Sequence, residues 1–407
     1  MNILLLLPRV PYPTTDGASK ANFQFIQGLT TVGVSVKVMC ISDLDSQKNV
    51  KSFQTESGVK EVFFYQRKVN TGFKKLFDLT INFITKPHLP VTYQSFFKKD
   101  LLKFVLSKLN SDSFDLIIAI TPHAATPLLS MAIKIPFLYR SDNVEYELWE
   151  KRALEEKNPF LRFFLKYQEF LVKNHELSII KKACMTLTIA EEDKKTFLKA
   201  LPDAFVETIP MAMIFPPPTE FKNDSTLQLF FLGRLDWGPN RDGLVWFLKE
   251  VWPEIKKLPV LLSIAGSGHP GNLEAMMIDE KIHFLGKVPE LKSHFEKAHI
   301  VLVPIFYGSG TRIKVLEASL YTRACLSTAM GIQGSPLVDN NQNQYYLAAE
   351  NKEEWIEQIR NCKQEDLAKM GLLAYEKVKS ELDFNLVSMR VLKIIQERLL
   401  QLRGRHQ

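Results

Sequence analysis

The chain has 407 residues, 46% of them hydrophobic and 24% charged, and a formal net charge of +7. At about 150 residues per domain this length calls for two or three domains, and the composition excludes a disordered or fibrous chain. The positive balance favours anionic partners without choosing among phosphorylated substrates, membrane surfaces and nucleic acid.

The first apolar run, 1–7, is stopped by Pro8, Arg9 and Pro11. It has neither a basic start nor a small-residue cleavage site, and no run of about 18 apolar residues follows anywhere. The expectation is therefore a first β-strand in a cytoplasmic protein. Apolar runs of strand length recur at 34–41, 61–65, 115–120, 136–139, 185–189 and 206–209, with helical periodicity between most of them. The longest helical pattern covers 144–182. Pro210, Pro216, Pro217 and Pro218 then rule out a helix or a central strand, which places a linker at 209–226. A second alternation follows, with strands expected at 227–232, 260–265, 282–285, 300–303, 324–327 and 345–348. Its helices are expected at 241–257, 289–297, 312–321, 352–362 and 364–380. A final amphipathic helix, 385–402, has the length to cross back to the first domain. Cys40, Cys184, Cys325 and Cys362 form no C-x-x-C pair, so they read as small core residues in a reducing compartment and not as a zinc site or disulfide framework.

Alternating strands and helices predict two doubly wound α/β domains, 1–208 and 227–384, whose ligands bind outside the carboxyl ends of the strands. The most informative segment is GSGTRIKVLEAS, 308–319. The free amides of Ser309, Gly310 and Thr311 would cradle an anion at a helix start. Arg312 and Lys314 oppose the helix dipole there, a conflict that an anionic ligand resolves. Glu317 follows, placed to accept two hydrogen bonds from a vicinal diol. Gly233 and Arg234 leave the first strand of this half, and the Arg234 guanidinium suits a diphosphate; Asp236 or Asn240 is the alternative partner, in a turn. Gly266 and Gly268 follow the next strand and permit close approach to a base or phosphate. In the first half, Asp16 and Gly17 follow the first strand. His123, Asp142 and Glu145 lie beyond later strands and are candidates on the acceptor side, with capping of the long helix as the plainer role for Asp142. The stretch 65–103 holds eight Lys or Arg among Phe73, Phe77, Phe83, Phe96 and Phe97, a mix suited to an anionic membrane surface.

These motifs resemble a family 4 glycosyltransferase of GT-B fold, of the bacterial type that builds surface polysaccharides. The carrying residues are Gly233-Arg234, Trp237, Pro239-Asn240, the run 245–255, Gly266 to Gly268, 283–286 and above all 308–318. The first half adds 11–20 and Asn143-Val144-Glu145 before Trp149. The resemblance implies two Rossmann-like domains facing a central cleft, and retaining sugar transfer from a nucleoside-diphosphate-sugar to a saccharide or lipid-linked acceptor. It implies no metal and no other cofactor. Arg234 would hold the diphosphate with Lys314, and Glu317 the ribose; Arg234, Lys314 and His123 are the residues expected to carry the chemistry. The chain departs from the family at four places. Ser309 stands where many members have a first glutamate, Pro239 or Asn240 where a lysine is common, Asp142 where a histidine is, and Ala212 where a glycine is. A nucleotide-sugar epimerase of the same architecture and a weakly catalytic nucleotide-sugar-binding subunit are the alternatives. An oxidoreductase lacks its G-x-G-x-x-G, and a nucleic-acid partner rests on charge alone. The sequence sets no oligomeric state.

Overall fold

A computed structural model describes residues 1–14, 17–67, 88–271, 273–308, 312–338 and 344–404. The chain divides into two compact α/β units, Met1–Ala212 with Phe384–Gln407, and Met213–Asp383.

In the first unit, β1 (Asn2–Leu7), β2 (Ser35–Ser42), β3 (Glu61–Gln66), β4 (Leu116–Ile120), β5 (Phe137–Ser141), β6 (Met185–Thr188) and β7 (Val206–Thr208) form one sheet. Its order is β3-β2-β1-β4-β5-β6-β7, parallel throughout. The order reverses between β1 and β4, the point where such sheets bind ligands. Strand β1 shows why its sequence reads as an unbroken apolar run. Ile3, Leu5 and Leu7 enter one core and Leu4 and Leu6 the opposite one, so helices cover both faces.

The last helix, Phe384–Gly404, packs in this unit. Val387, Val391 and Ile395, spaced four apart, share a core with Phe25 and Leu29 of the helix Gly17–Thr31. The crossing needs Gly28, because a Cβ there would stand 2.4 Å from Ser388 Oγ. Residues 209–226, read from sequence as one linker, are divided between the units. Ile209 and Ala212 lie in the first core. Met213 pairs with Asp383, and Pro216 O accepts from Tyr375 Oη at 2.8 Å.

The single helix expected over 144–182 is two, Glu145–Glu155 and Pro159–Lys182. Proline is well placed at the start of a helix but cannot continue one, and Asn158 caps the new start by accepting from the amides of Phe160 and Leu161 at 3.0 and 3.2 Å.

In the second unit, β8 (Leu227–Leu232), β9 (Val260–Ala265), β10 (Ile282–Gly286), β11 (Ile300–Val303), β12 (Ala324–Ser327) and β13 (Leu347–Ala348) form a parallel sheet of order β10-β9-β8-β11-β12-β13. The switch point lies between β8 and β11. The helix expected at 241–257 starts earlier, at Gly238 with Pro239 inside its first turn, and passes through a π-helical turn at Phe247–Val251. Pro253 has no N–H to return to the preceding turn, which accounts for the widening. Cys40 and Cys325 are buried free thiols, both pushed up to about 12 by burial. Among the described residues no helix is long and apolar enough to cross a membrane.

Of the basic, Phe-rich stretch 65–103, Phe73, Phe77 and Phe83 lie outside the described residues. Phe96 is not a surface group but a buried one, with the Arg67 guanidinium 4.9 Å over its ring.

Candidate functional site

In the second unit the loops beyond β8, β9 and β10 are knitted together. Gly233 N donates to Ala265 O at 3.0 Å, Leu235 N to Ser267 O at 2.8 Å and Gly266 N to Gly286 O at 2.8 Å. A Cβ on Gly266 would stand 2.0 Å from Gly233 O, and one on Gly233 2.6 Å from Asn240 Nδ2. Both glycines are thus required by the packing of these turns. Gly268 has φ +93°, and a Cβ there would meet the Asp236 carboxylate at 2.7 Å.

The Arg234 guanidinium, 68% exposed, lies in a fork with Asp236, Nε to Oδ1 at 3.0 Å and NH2 to Oδ2 at 2.9 Å. Asn240 takes part in the same turn through Nδ2, which donates to Arg234 O at 3.1 Å. Its Oδ1 accepts from Lys314 Nζ at 2.7 Å. Lys314 is buried, with its ammonium 4.8 Å over the Phe231 ring. Burial, and then neighbouring Arg312, pulls it down to about 7. Arg312 precedes the helix Ile313–Leu320 and lies 5.6 Å over the Trp237 ring, its guanidinium lowered by burial. Glu317 is half-buried one turn into this helix, near enough to Lys314 to favour its charged form. Ser309, Gly310 and Thr311 lie outside the described residues.

Two further contacts hold the helix Gly238–Trp246 over the end of β11. Tyr307 Oη donates to Asp242 Oδ2 at 2.6 Å and holds that carboxyl below its usual range. A Cβ on Gly243 would lie 1.6 Å from Pro304 O, so the helix rests directly on the backbone. The structure thus brings Arg234, Arg312, Lys314 and Glu317 to the carboxyl ends of β8 and β11, the switch point of this sheet. Asn240 was weighed from sequence only as a turn residue or as a replaced lysine, and it is the residue that ties Arg234 to Lys314. Its signal, an asparagine just after Pro239 at a helix start, reads equally as a cap.

In the first unit Gly17 opens the helix after β1, and Asp16 lies outside the described residues. Asp142 does not cap the following helix. It accepts from Arg140 NH1 at 2.6 Å and from Asn22 Nδ2 at 2.9 Å, while Arg140 is itself buried and also donates to Asn22 Oδ1. His123 is not in a loop but in the first turn of the helix Thr121–Leu129. Its ring meets Tyr93 at 4.8 Å and Phe96 at 5.5 Å, and burial, with Arg67 nearby, lowers it to about 4. Tyr93 also stacks on His175 at 4.8 Å. Thr126 Oγ1 donates to Pro122 O at 2.8 Å, so its 2.9 Å contact with His175 Nε2 makes that nitrogen the donor.

Glu145 opens its helix and donates its N–H to Glu176 Oε2 at 3.0 Å. Its carboxyl is raised to about 7, first by burial and then by Asp142. Glu176 is fully buried, accepts from Tyr139 Oη at 2.9 Å, and is raised well above the usual carboxylate range by burial. The ends of β4 and β5 thus carry a polar cluster in which Tyr93, His175 and Glu176 are buried and His123 and Glu145 half-buried. Sequence reasoning named two of these five. Glu176 did leave a trace: it lies on the apolar face of its helix, with Val172 and Ile180 four residues to either side.

Residues 226–365 match the family described as Glycosyl transferases group 1. An uncharacterized protein in the cps region of Klebsiella pneumoniae is 29% identical over 117 residues, a match that takes in 26% of this chain and 30% of that protein. Sucrose-phosphate synthase from Thermosynechococcus elongatus shares the fold with a TM-score of 0.65 at 12% identity, covering 98% of both chains. HepE from Anabaena, solved with UDP and glucose, gives 0.65 at 12% identity over 98% of this chain and 100% of that one. TarM gives 0.68 at 11% identity over 96% and 98%. The chain thus has the GT-B fold, and residues 226–365 of its second unit match the model of the group 1 glycosyl transferases.

Proposed function

We propose that this protein is a retaining, metal-independent glycosyltransferase. It moves a sugar from a nucleoside-diphosphate-sugar to a saccharide or lipid-linked acceptor, in the cytoplasm at the inner face of the plasma membrane, for a cell-surface polysaccharide. The observation that carries the reading is Lys314. A buried ammonium costs several kcal/mol to desolvate, and among the described residues its hydrogen bond goes to the Asn240 amide and not to a carboxylate. A chain keeps such a cation where an anionic ligand completes it. Arg234 and Arg312 add two more cations at the same strand ends, and Glu317 supplies the acceptor for a ribose diol.

The chemistry asked of these groups is electrostatic. As the sugar–phosphate bond breaks, negative charge grows on the diphosphate, and donors already fixed in place stabilise it without reorganising. In this reading the cationic side chains do the work that a metal ion does in other transferases. The polar cluster of the first unit, with His123, Asp142 and Glu145, serves the acceptor. UDP bound to HepE and to the pneumococcal O-GlcNAc transferase GtfA supports a nucleoside-diphosphate donor, and the cps-region relative supports the polysaccharide setting.

A thermal-shift and turnover screen with UDP-, GDP- and ADP-sugars tests it. One nucleotide class should stabilise the wild type, and Glu317→Ala or Arg234→Ala should abolish the shift. If both variants respond like the wild type, the donor site is elsewhere. Stabilisation without transfer to any acceptor would instead favour a nucleotide-sugar-binding subunit.

A further inference from the structure

The helix Pro159–Lys182 is amphipathic twice over. Its inner face, with Val172, His175, Glu176, Ile179 and Ile180, is buried. Its outer face is not polar, as a solvated helix surface should be. Phe160 is 86% exposed, Phe163 76% and Phe170 57%. Spacings of three and seven residues put these three rings in one stripe along the helix. Leu154, 69% exposed, adds to it just before the break between the two helices.

Beside that stripe runs a basic one. Arg162, Lys166 and Lys173 lie on the adjoining side of the helix at spacings of four and seven. From residue 154 to 173 four cations, Lys157, Arg162, Lys166 and Lys173, accompany three acids, Glu155, Glu156 and Glu169, of which only Glu169 lies within this helix. The strip is held rigidly rather than trailing from the surface. Asn158 caps the helix start, and Arg162 Nε donates to Glu156 O at 2.8 Å, bracing the turn.

Exposed phenylalanines at this density are a liability unless something covers them. The charge beside them selects the cover. A second copy packed antiparallel along the same rings would set the basic stripe against itself, which is repulsive. A bilayer with anionic headgroups takes both features at once, with rings entering the acyl boundary and cations at the phosphates. We infer that the outer face of the helix Pro159–Lys182 docks this protein on an anionic lipid surface through Phe160, Phe163 and Phe170, flanked by Arg162 and Lys166. The inference deepens the proposed function, on whose membrane-side acceptor it rests for its purpose, though not for its test.

The test is co-sedimentation of the full chain, without nucleotide, with vesicles of phosphatidylcholine alone or mixed with an equal part of phosphatidylglycerol. The wild type should bind only the anionic vesicles. F160S/F163S/F170S and R162E/K166E should each lower the partition coefficient by roughly tenfold or more. Both variants should keep the melting temperature and the nucleotide-dependent shift of the wild type, since none of these side chains lies in the proposed donor site. Phe163→Trp gives a readout in an otherwise intact protein, its emission moving to the blue on anionic vesicles. Equal binding to both vesicle types, or undiminished binding by the variants, overturns the inference. So does a concentration-dependent dimer of the wild type that the triple-serine variant loses, because the face would then belong to a second copy. A loss of nucleotide binding with intact vesicle binding would strike the proposed function and leave this inference standing.

Discussion

One amide side chain joins two cationic residues at the strand ends: Asn240 accepts from Lys314 Nζ through Oδ1 at 2.7 Å and donates through Nδ2 to Arg234 O at 3.1 Å. The residue is 5% exposed, so neither bond is shared with bulk water. Asn240 is a positioning residue: it sets where the Lys314 charge sits and holds the backbone that aims Arg234. Asn240→Ala should weaken nucleotide-sugar binding by about tenfold, while Asn240→Asp should pair with Lys314, raise its pKa and also weaken binding by offering a competing anion. Isothermal titration of both variants checks this; unchanged affinity in both would remove Asn240 from the site.

Lys314 gives the site a pH dependence of known sign. Its ammonium titrates at about 7 in the folded protein against an ordinary 10.5. Above 7 this position is neutral, and under the proposed function it must take up a proton to bind a diphosphate. Affinity for an intact nucleotide-sugar should therefore fall by up to about tenfold per pH unit above neutrality. Lys314→Met should abolish that slope and the binding together. The unfolded chain holds the proton up to 10.5, so the lysine costs stability most below 7, and the methionine variant should be more stable there by roughly 1 kcal/mol or more. Denaturant titration at two pH values reads it out.

The Arg234–Asp236 fork has the opposite consequence. Under the proposed function, Asp236 holds the Nε–NH2 edge of Arg234 against the diphosphate and competes with it for the guanidinium. Asp236→Asn should tighten binding of the nucleotide-sugar by about two- to fivefold, with the larger gain at low salt. Weaker binding in this variant would show that Asp236 orders Arg234 for the ligand instead of competing with it.

In the first unit, Glu145 is raised to about 7 and Glu176 well above the ordinary carboxylate value of 4.5, both first by burial. As pH rises above 4.5 the folded state holds more protons than the unfolded one, so each of the two carboxyls costs stability progressively with rising pH. Glu176→Gln should flatten the loss, gaining on the order of 1–3 kcal/mol at alkaline pH and little under acid conditions. Urea unfolding across that range decides it; a parallel shift at every pH would mean that the carboxylate's hydrogen bonds matter more than its charge.

The strands of both sheets, though not their order, were within reach of the sequence, because buried parallel strands write themselves as apolar runs between helical stretches. The run at 2–7 is the clearest instance. Arg234 and Lys314 could be singled out as candidates from local pattern, since one follows a strand and the other lies in the first turn of a helix, with Glu317 one turn on. The rest depends on contacts between distant residues. Asn240 and Lys314 are 74 residues apart, and Tyr139 and Glu176 are 37 apart. The helix break at Asn158-Pro159 was legible in principle, and was missed because apolar periodicity continues on both sides of it. Gly243 reads as an unfavourable helix residue until Pro304 O is found beneath it. Gly243→Ala should destabilise the protein by roughly 3 kcal/mol or more, which a melting curve would show.

The crossing of Gly28 and Ser388 also has a consequence in time. The first unit is assembled from residues more than three hundred positions apart, so during synthesis its early helix waits, with Phe25 and Leu29 bare, until the whole second unit has left the ribosome. The second unit is continuous and free to fold in that interval. A chain released at Asp383 should therefore bind hydrophobic dyes and be cut readily by proteases in its first half, while its second half resists.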